Sequence, residues 1–371
     1  MRAAEARVRR SPHLVLYWRR DRFVARNYAT ATTATIPPEI AGILDFCSEW
    51  RTPAEIAAVL NVTAPLVSPL IRKLVDRTFL ERSDRKPDPR ERAMSALDPW
   101  NPEAGFFHTA TKTVKYVSVR ESTRRTVQRA RELPMPSPVK RYRGAATLDL
   151  PRPDASGEFA RVALQRRTWR RFSKRPVTLQ DLATVLGLSA GVQQWVRSAS
   201  GDVPLKTSPS GGARHPIELY VVVRNVEGLR AGLYHYAAGR HGLTRIGGPV
   251  ADARIRSYVP SSGYFAKAPV MVFFTAVFAR QLWRYSYSRA YRAALIEAGH
   301  VCQTFCLAAT SLELAPYCLM GLADTLIEHD LKLDGVTETV LYAAGLGVPP
   351  RGADWAPLPS GQLVSRKNPR L

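Results

Sequence analysis

The stretch RRTWRRF, residues 166–172, sets four arginines around a single threonine hydroxyl. A guanidinium grips a phosphate through two parallel hydrogen bonds, and a hydroxyl adds a further donor. Arg166, Thr168 and Arg170 alternate, so an extended backbone would point them to one side. A solvated basic face is the competing reading. A second stretch, SPSGGARHPIELYVVV at 208–223, places Ser210, Gly211 and Gly212 in a turn whose amides can approach a planar ligand closely. Arg214 and His215 follow, and Pro216 hands the chain to a strand. A third, LWRYSYSRAYR at 282–292, gathers Tyr285, Tyr287 and Tyr291 around Arg284, an aromatic run that packing alone can explain. Glu297, His300 and Gln303 recur every three residues on a helical pattern, which suits a site wall, a dimer seam or a hydrogen-bonded core row.

Metal chemistry is not expected. The four cysteines are Cys47, Cys302, Cys306 and Cys318, with no CxxC pair and no histidine cluster. Cys302 and Cys306, four apart on a helical pattern, read as core packing.

Positioning these groups takes a mixture of helices and strands. Residues 13–30 alternate as a strand pair turning near Arg20 and Asp21. Three short helical patterns follow. The first begins after Pro37 and Pro38. The second has Thr52, Pro53 and Glu55 in a capping-box arrangement. The third turns Leu66, Val67, Leu70 and Leu74 inward and leads to a strand at Phe79 and Leu80. Together they make a winged-helix-like unit over residues 1–85. Its third helix carries Arg72, Lys73 and Arg77 but no Asn or Gln to read an adenine edge, so nucleic-acid recognition is not favoured. Residues 86–154 read as linker and packing segment. The charged, proline-rich 83–105 is one linker, FFHTATK packs on the main domain, and a second proline-rich linker spans 131–157. The large domain, 155–371, opens with a helix written GEFARVALQRRTWRRF. A second helix there is capped by Thr178, strands lie at IELYVVV, GLYHYAA and APVMVFF, and a long helix runs from about 289 to 312. Strands that follow one another as hairpins indicate α+β architecture, and no GxGxxG follows a strand.

Composition sets the bounds. The 371 residues are 45% hydrophobic, enough for a folded core in two domains. No apolar run is long enough for a membrane span, and the arginine-rich start does not read as a secretory signal, so a cytoplasmic protein is expected. The net charge of +23 invites an anionic partner, although an arginine-rich, alanine-rich composition also follows from a GC-rich genome.

Taken in order, RRTWRRF, PSGGARHPIELY, GLYHY, YRAALIEAGHVCQTFCLAA and LDGVTETVLYAAGLG resemble the FMN-binding nitroreductase fold. More narrowly they resemble its SagB-type branch, the thiazole/oxazole-forming peptide dehydrogenases, over residues 160–348, with the front end and FFHTATK also similar. The resemblance implies a central, mainly antiparallel sheet flanked by helices, an N-terminal winged-helix-like domain that docks peptide, and a homodimer with FMN at the subunit interface. By analogy Arg166, Arg167, Thr168 and Arg170 hold the FMN phosphate and ribityl chain. Ser210, Gly211, Arg214 and His215 line the cofactor, Gly321 lies against the ring, and Arg351 reaches the phosphate. The implied reaction oxidises thiazoline or oxazoline rings of a ribosomally made peptide to azoles. The precursor peptide is then the substrate, and a cyclodehydratase or leader-binding protein a possible partner. Where the branch has a Lys-Tyr pair this chain has Arg284 and Tyr285. Arginine stays protonated and cannot be the base, but its charge favours a neighbouring phenolate. The resemblance thus implies Tyr285 as base, Arg284 as its activator, and Tyr287 and Tyr291 as spares. The alternatives are a general NAD(P)H-dependent nitro or quinone reductase, or dehydrogenation of another bond in a peptide natural product.

Overall fold

The computed structural model describes residues 6–352 except 113, 134, 139–147, 149, 152, 155, 199 and 200. Parts of the second proline-rich linker and the chain beyond Gly352 therefore lie outside the described residues. The chain divides into two units. The first holds residues 1–114, 277–294 and 328–339, and the second holds the remainder.

In the first unit, alternating apolar residues give the meander β2 (Leu14–Arg19), β3 (Arg22–Asn27) and β4 (Thr32–Thr35), preceded by β1 (Val8–Arg10). Arg20 takes a positive φ at the β2–β3 turn, where the hairpin was expected. Helices α1 (Ile40–Phe46), α2 (Pro53–Val59) and α3 (Ala64–Asp76) follow, and β5 (Leu80–Arg82) pairs antiparallel with β1. The Thr52 capping box is present: its hydroxyl accepts from Glu55 N while the Glu55 carboxylate accepts from Thr52 N. Ala25, Ile43, Leu44, Ile56, Val67, Ile71, Leu74 and Phe79 share one core.

Leu66 departs from the inward position expected of it and is 69% exposed. The stripe that buries is Val67, Ile71 and Leu74, and Leu66 sits about 100° round the helix from its centre. Residues 83–105, expected as linker on composition, hold α4 (Pro89–Ser95) and the start of α5 (Pro102–Ala110). Their prolines occupy first-turn positions, where the missing N–H costs nothing. Asp88 caps α4 by accepting from Arg90 N. Glu91 anchors it, buried and accepting from Ser11 Oγ and Asn27 Nδ2. Phe106 of FFHTATK meets Tyr17 edge-on at 5.7 Å.

The second unit begins with α6 (Val119–Glu132), an arginine-rich helix that buries none of its side chains and was not anticipated. Next come α7 (Glu158–Gln165), α8 (Leu179–Ala190) and the hairpin β6 (Gln194–Ser198) with β7 (Gly201–Leu205). Thr178 caps α8 as expected, its hydroxyl accepting from Asp181 N. The central strands are β8 (Ile217–Val223), β9 (Gly232–Ala237) and β10 (Gly242–Gly247); α9 (Asp252–Tyr258) and β11 (Val270–Val277) follow. The chain then visits the first unit through α10 (Phe278–Leu282) and runs back along α11 (Ala290–Ser311). It closes with β12 (Tyr317–Leu319), α12 (Asp324–Leu331) and β13 (Glu338–Leu346). The sheet order is β10-β9-β8-β11-β13-β12. The pairs β10–β9, β9–β8, β8–β11 and β12–β13 are antiparallel, in keeping with the α+β expectation. Strands β8 and β11 are buried almost throughout, which explains their near-continuous apolar run. Among the described residues no single helix is long and apolar enough to cross a membrane.

Candidate active site

Helix α7 stops at Gln165, so RRTWRRF is not its continuation. The reason lies in backbone pairing: Trp169 N donates to Pro316 O and Ser173 N to Val348 O. These bonds draw the segment out of helix and tie it to the start of β12 and the end of β13. The arginines then separate in role. Arg167 donates to Leu164 O and Arg166 O, both at 2.7 Å, and so closes the carbonyl end of α7. Arg166 lies beside Cys306 and Cys318, where its charge favours the thiolate of each, although Cys306 is pushed up overall to about 12. Arg170 donates from one terminal nitrogen to Thr168 O at 3.3 Å, and its guanidinium carbon stands 5.9 Å from the Tyr264 ring. Its Nε is buried with no hydrogen-bond partner among the described residues. Thr168 is half-buried in the same run.

The glycine turn is strained and well supported. Residues Gly211–Ala213 form a single 3-10 turn in which Gly212 has φ 60°, and two non-glycine residues, Ala213 and His215, also take positive φ. Left-handed conformations cost most residues about 1–2 kcal/mol, so neighbours must hold them. Ser210 Oγ does so by accepting from His215 N at 2.8 Å, and Glu297 Oε1 by accepting from Gly211 N at 3.0 Å. Arg214 Nε donates to Gly212 O, and His215 Nε2 lies 3.1 Å from Pro204 O. Glu297 thus fixes the turn from α11, a role no local pattern announced. The face it was expected to share divides: Glu297 is buried, while His300 and Gln303 are exposed. Steps of three residues fall about 60° short of a full turn each time, so the row spirals off one face.

Gly321 occupies the loop after β12. A side chain there would come within 3.2 Å of Ser261 Oγ and 3.6 Å of the Tyr116 ring, so the position favours glycine. Arg351 is exposed near the end of the described residues.

Arg284 and Tyr285 belong to the first unit, whereas the residues above belong to the second. Tyr285 is half-buried and Arg284 exposed, with the guanidinium carbon 5.7 Å over the phenol ring. Tyr287 is exposed, with its ring 6.0 Å from that of Tyr285. Tyr291 is no spare base. It is buried, stacks on Phe278 at 5.3 Å, meets Trp100 edge-on and lies 3.3 Å from His108 Nδ1.

A phosphate suits the arginine segment. Burying a charged donor without a partner is costly, and an anion at Arg170 would satisfy it. The cysteines differ from expectation in one respect. Cys302 and Cys306 are core residues as read, but Cys318 joins them, with all three sulfurs within 4.8 Å of one another. Hydrogen bonds from Cys302, then Cys306 and Tyr342, hold the Cys318 thiol well below the usual range, and the charge of Arg166 helps.

Comparison with known proteins agrees with this geometry. Residues 163–348 match the nitroreductase family model. A nitroreductase-like protein of Methanocaldococcus jannaschii is 31% identical over 188 residues, 50% of this chain and 91% of its own. The trifolitoxin-processing protein TfxB of Rhizobium leguminosarum bv. trifolii is 33% identical over 151 residues, 39% of this chain and 40% of TfxB. The chain thus matches less than half of TfxB's length. Among solved structures, a chain of the E. coli microcin synthetase McbBCD complex with truncated pro-MccB17 bound superposes with a TM-score of 0.53 at 21% identity. That superposition covers 72% of this chain and 100% of the other, and it shows the shared fold. The chain belongs to the nitroreductase family, as its resemblance to the SagB-type branch implied.

Proposed function

We propose that this protein is an FMN-dependent dehydrogenase that oxidises azoline rings of a ribosomally made peptide to azoles. The observation that carries the reading is the buried Nε of Arg170, without a partner among the described residues, inside a segment matched to the family. The relatedness to a trifolitoxin-processing protein and the fold shared with a microcin synthetase chain support the peptide substrate. Bound FMN would accept a hydride from the ring carbon and pass the electron pair to dioxygen. The chain's own residues bind and orient. Arg170, with Arg166 and Thr168, holds the phosphate, and Arg351 is assigned to it from the far end of the domain. The Ser210–His215 turn, braced by Glu297, is assigned to line the cofactor, and Gly321 keeps a surface clear of side chains. Tyr285 takes the proton from the neighbouring ring carbon at its hydroxyl, with Arg284, whose guanidinium carbon stands 5.7 Å over the ring, assigned as its activator. The winged-helix-like front end docks the precursor, whose acidic leader suits a chain of net charge +23. A homodimer in the cytoplasm, served by a cyclodehydratase, completes the reading.

The test is mass spectrometry of an azoline peptide incubated with the protein in air. Loss of two hydrogens per ring is expected, and loss of that activity in Tyr285→Phe. An unchanged peptide mass with a flavin-loaded protein would sink the reading. A general NAD(P)H-dependent nitro or quinone reductase is the second reading, favoured by the M. jannaschii relative. Rapid bleaching of the flavin by anaerobic NAD(P)H would select it.

A further inference from the structure

Cys302 and Cys306 stand one turn apart on α11, and Cys318 faces them from β12. Two of the three are buried to 2% exposure, while Cys318 is half-buried and the least enclosed of them. We propose that these three cysteines form a site for a thiophilic closed-shell metal ion, zinc(II) or copper(I).

Spacing supports this. A metal–sulfur bond of about 2.3 Å sets thiolates about 3.8 Å apart around a tetrahedral ion and about 4.0 Å apart around a trigonal one. The sulfurs already lie within 4.8 Å of one another, so side-chain adjustments of less than about 1 Å close the site. Ligand type supports it too. The cluster offers sulfur alone, with neither imidazole nor carboxylate, which selects soft ions over magnesium, calcium or manganese. The Tyr342 hydroxyl, hydrogen-bonded to Cys318, places an oxygen donor beside that sulfur. Charge is also accommodated. Zinc with three thiolates carries one net negative charge, and Arg166 lies beside Cys306 and Cys318 to offset it. Cysteines serving only to fill the core need neither the cation nor the hydroxyl.

The test uses the full-length protein, reduced and kept anaerobic. Cobalt(II) replaces zinc as a chromophoric probe. One ion per chain is expected, with a sulfur-to-cobalt charge-transfer band in the difference spectrum that zinc abolishes stoichiometrically. The band should vanish in Cys318→Ala and in the milder Cys302→Ser, with circular dichroism verifying that both are folded. It should persist in Cys47→Ala, whose cysteine lies in the first unit. In a parallel arm, transfer of copper(I) from bathocuproine disulfonate, with the same dependence on Cys302 and Cys318, would identify copper as the ion. Absence of both the band and copper transfer would overturn the proposal. So would mapping of a disulfide between Cys318 and a helical cysteine in the reduced, metal-treated protein.

Discussion

Two polar clusters of this protein differ in one respect. In the first unit, Lys112 Nζ lies 2.6 Å from Glu328 Oε1, with the side chains only 10% and 5% exposed. Lys112 also donates to Gly335 O and to Thr339 Oγ1, and Thr339 in turn bonds Glu328. His108 Nε2 lies 3.0 Å from that same Gly335 carbonyl. These groups find their partners within the chain. In the second unit, Arg170 carries a buried nitrogen that finds none, and Ala213 and His215 hold backbone conformations that other residues must enforce. A closed polar network stabilises a fold and asks for nothing more; a buried donor left open, like a strained turn, is what a ligand site needs. Charge content alone would have ranked the two alike.

The comparison breaks first at the closed network. Lys112→Met leaves the Glu328 carboxylate buried without its cation and should cost about 3–5 kcal/mol in urea unfolding. The double variant Lys112→Met/Glu328→Leu should recover most of that loss; no loss in the single variant would mean the pair is not structural. At the open cluster the expectation reverses. Arg170→Ala should weaken FMN binding by about 1.5–3 kcal/mol, roughly 10- to 150-fold, with little change in the stability of the flavin-free protein. Flavin absorbance per chain after dialysis reads the first quantity and denaturant midpoints the second. Unchanged flavin content would remove the assigned role.

Acid sharpens the same contrast. Burial, helped by the Lys112 charge, pushes the His108 ring down to about 3. The unfolded ring titrates near 6.5, so between those values the unfolded chain binds a proton that the folded chain does not. Stability from this residue is complete above about pH 6.5 and falls by about 1.4 kcal/mol per pH unit toward pH 3. His108→Gln should flatten that slope; an unchanged slope would show that the titration arises elsewhere. The smallest effect is a control within the second unit. Thr178→Ala removes the cap of α8 and should cost about 1 kcal/mol of stability while flavin content stays the same. If flavin falls with it, the loss in Arg170→Ala reflects general destabilisation.

Much of this was legible in residue order. The β2–β3 hairpin, the Thr52 and Thr178 caps, the long α11 and the apolar strands β8 and β11 rest on interactions a few residues apart, which sequence spacing encodes directly. Composition misled where prolines started helices, as at Pro89 and Pro102, and where a single exposed turn put Leu66 outside. The arginine run was recognisable as a phosphate-binding candidate, but its division of labour was not.

That division depended on distant chain. Only the folded structure showed Arg167 closing its own helix, the Arg170 Nε without a partner among the described residues, and Arg166 beside two thiols. Only there did Glu297 meet the Gly211 amide and Cys318 join Cys302 and Cys306. Residue type and local spacing by themselves determined the elements, the family and the kind of chemistry available. Which side chains remain open for that chemistry was decided by contacts between residues tens to hundreds of positions apart, because a donor is free only when everything packed around it has been placed.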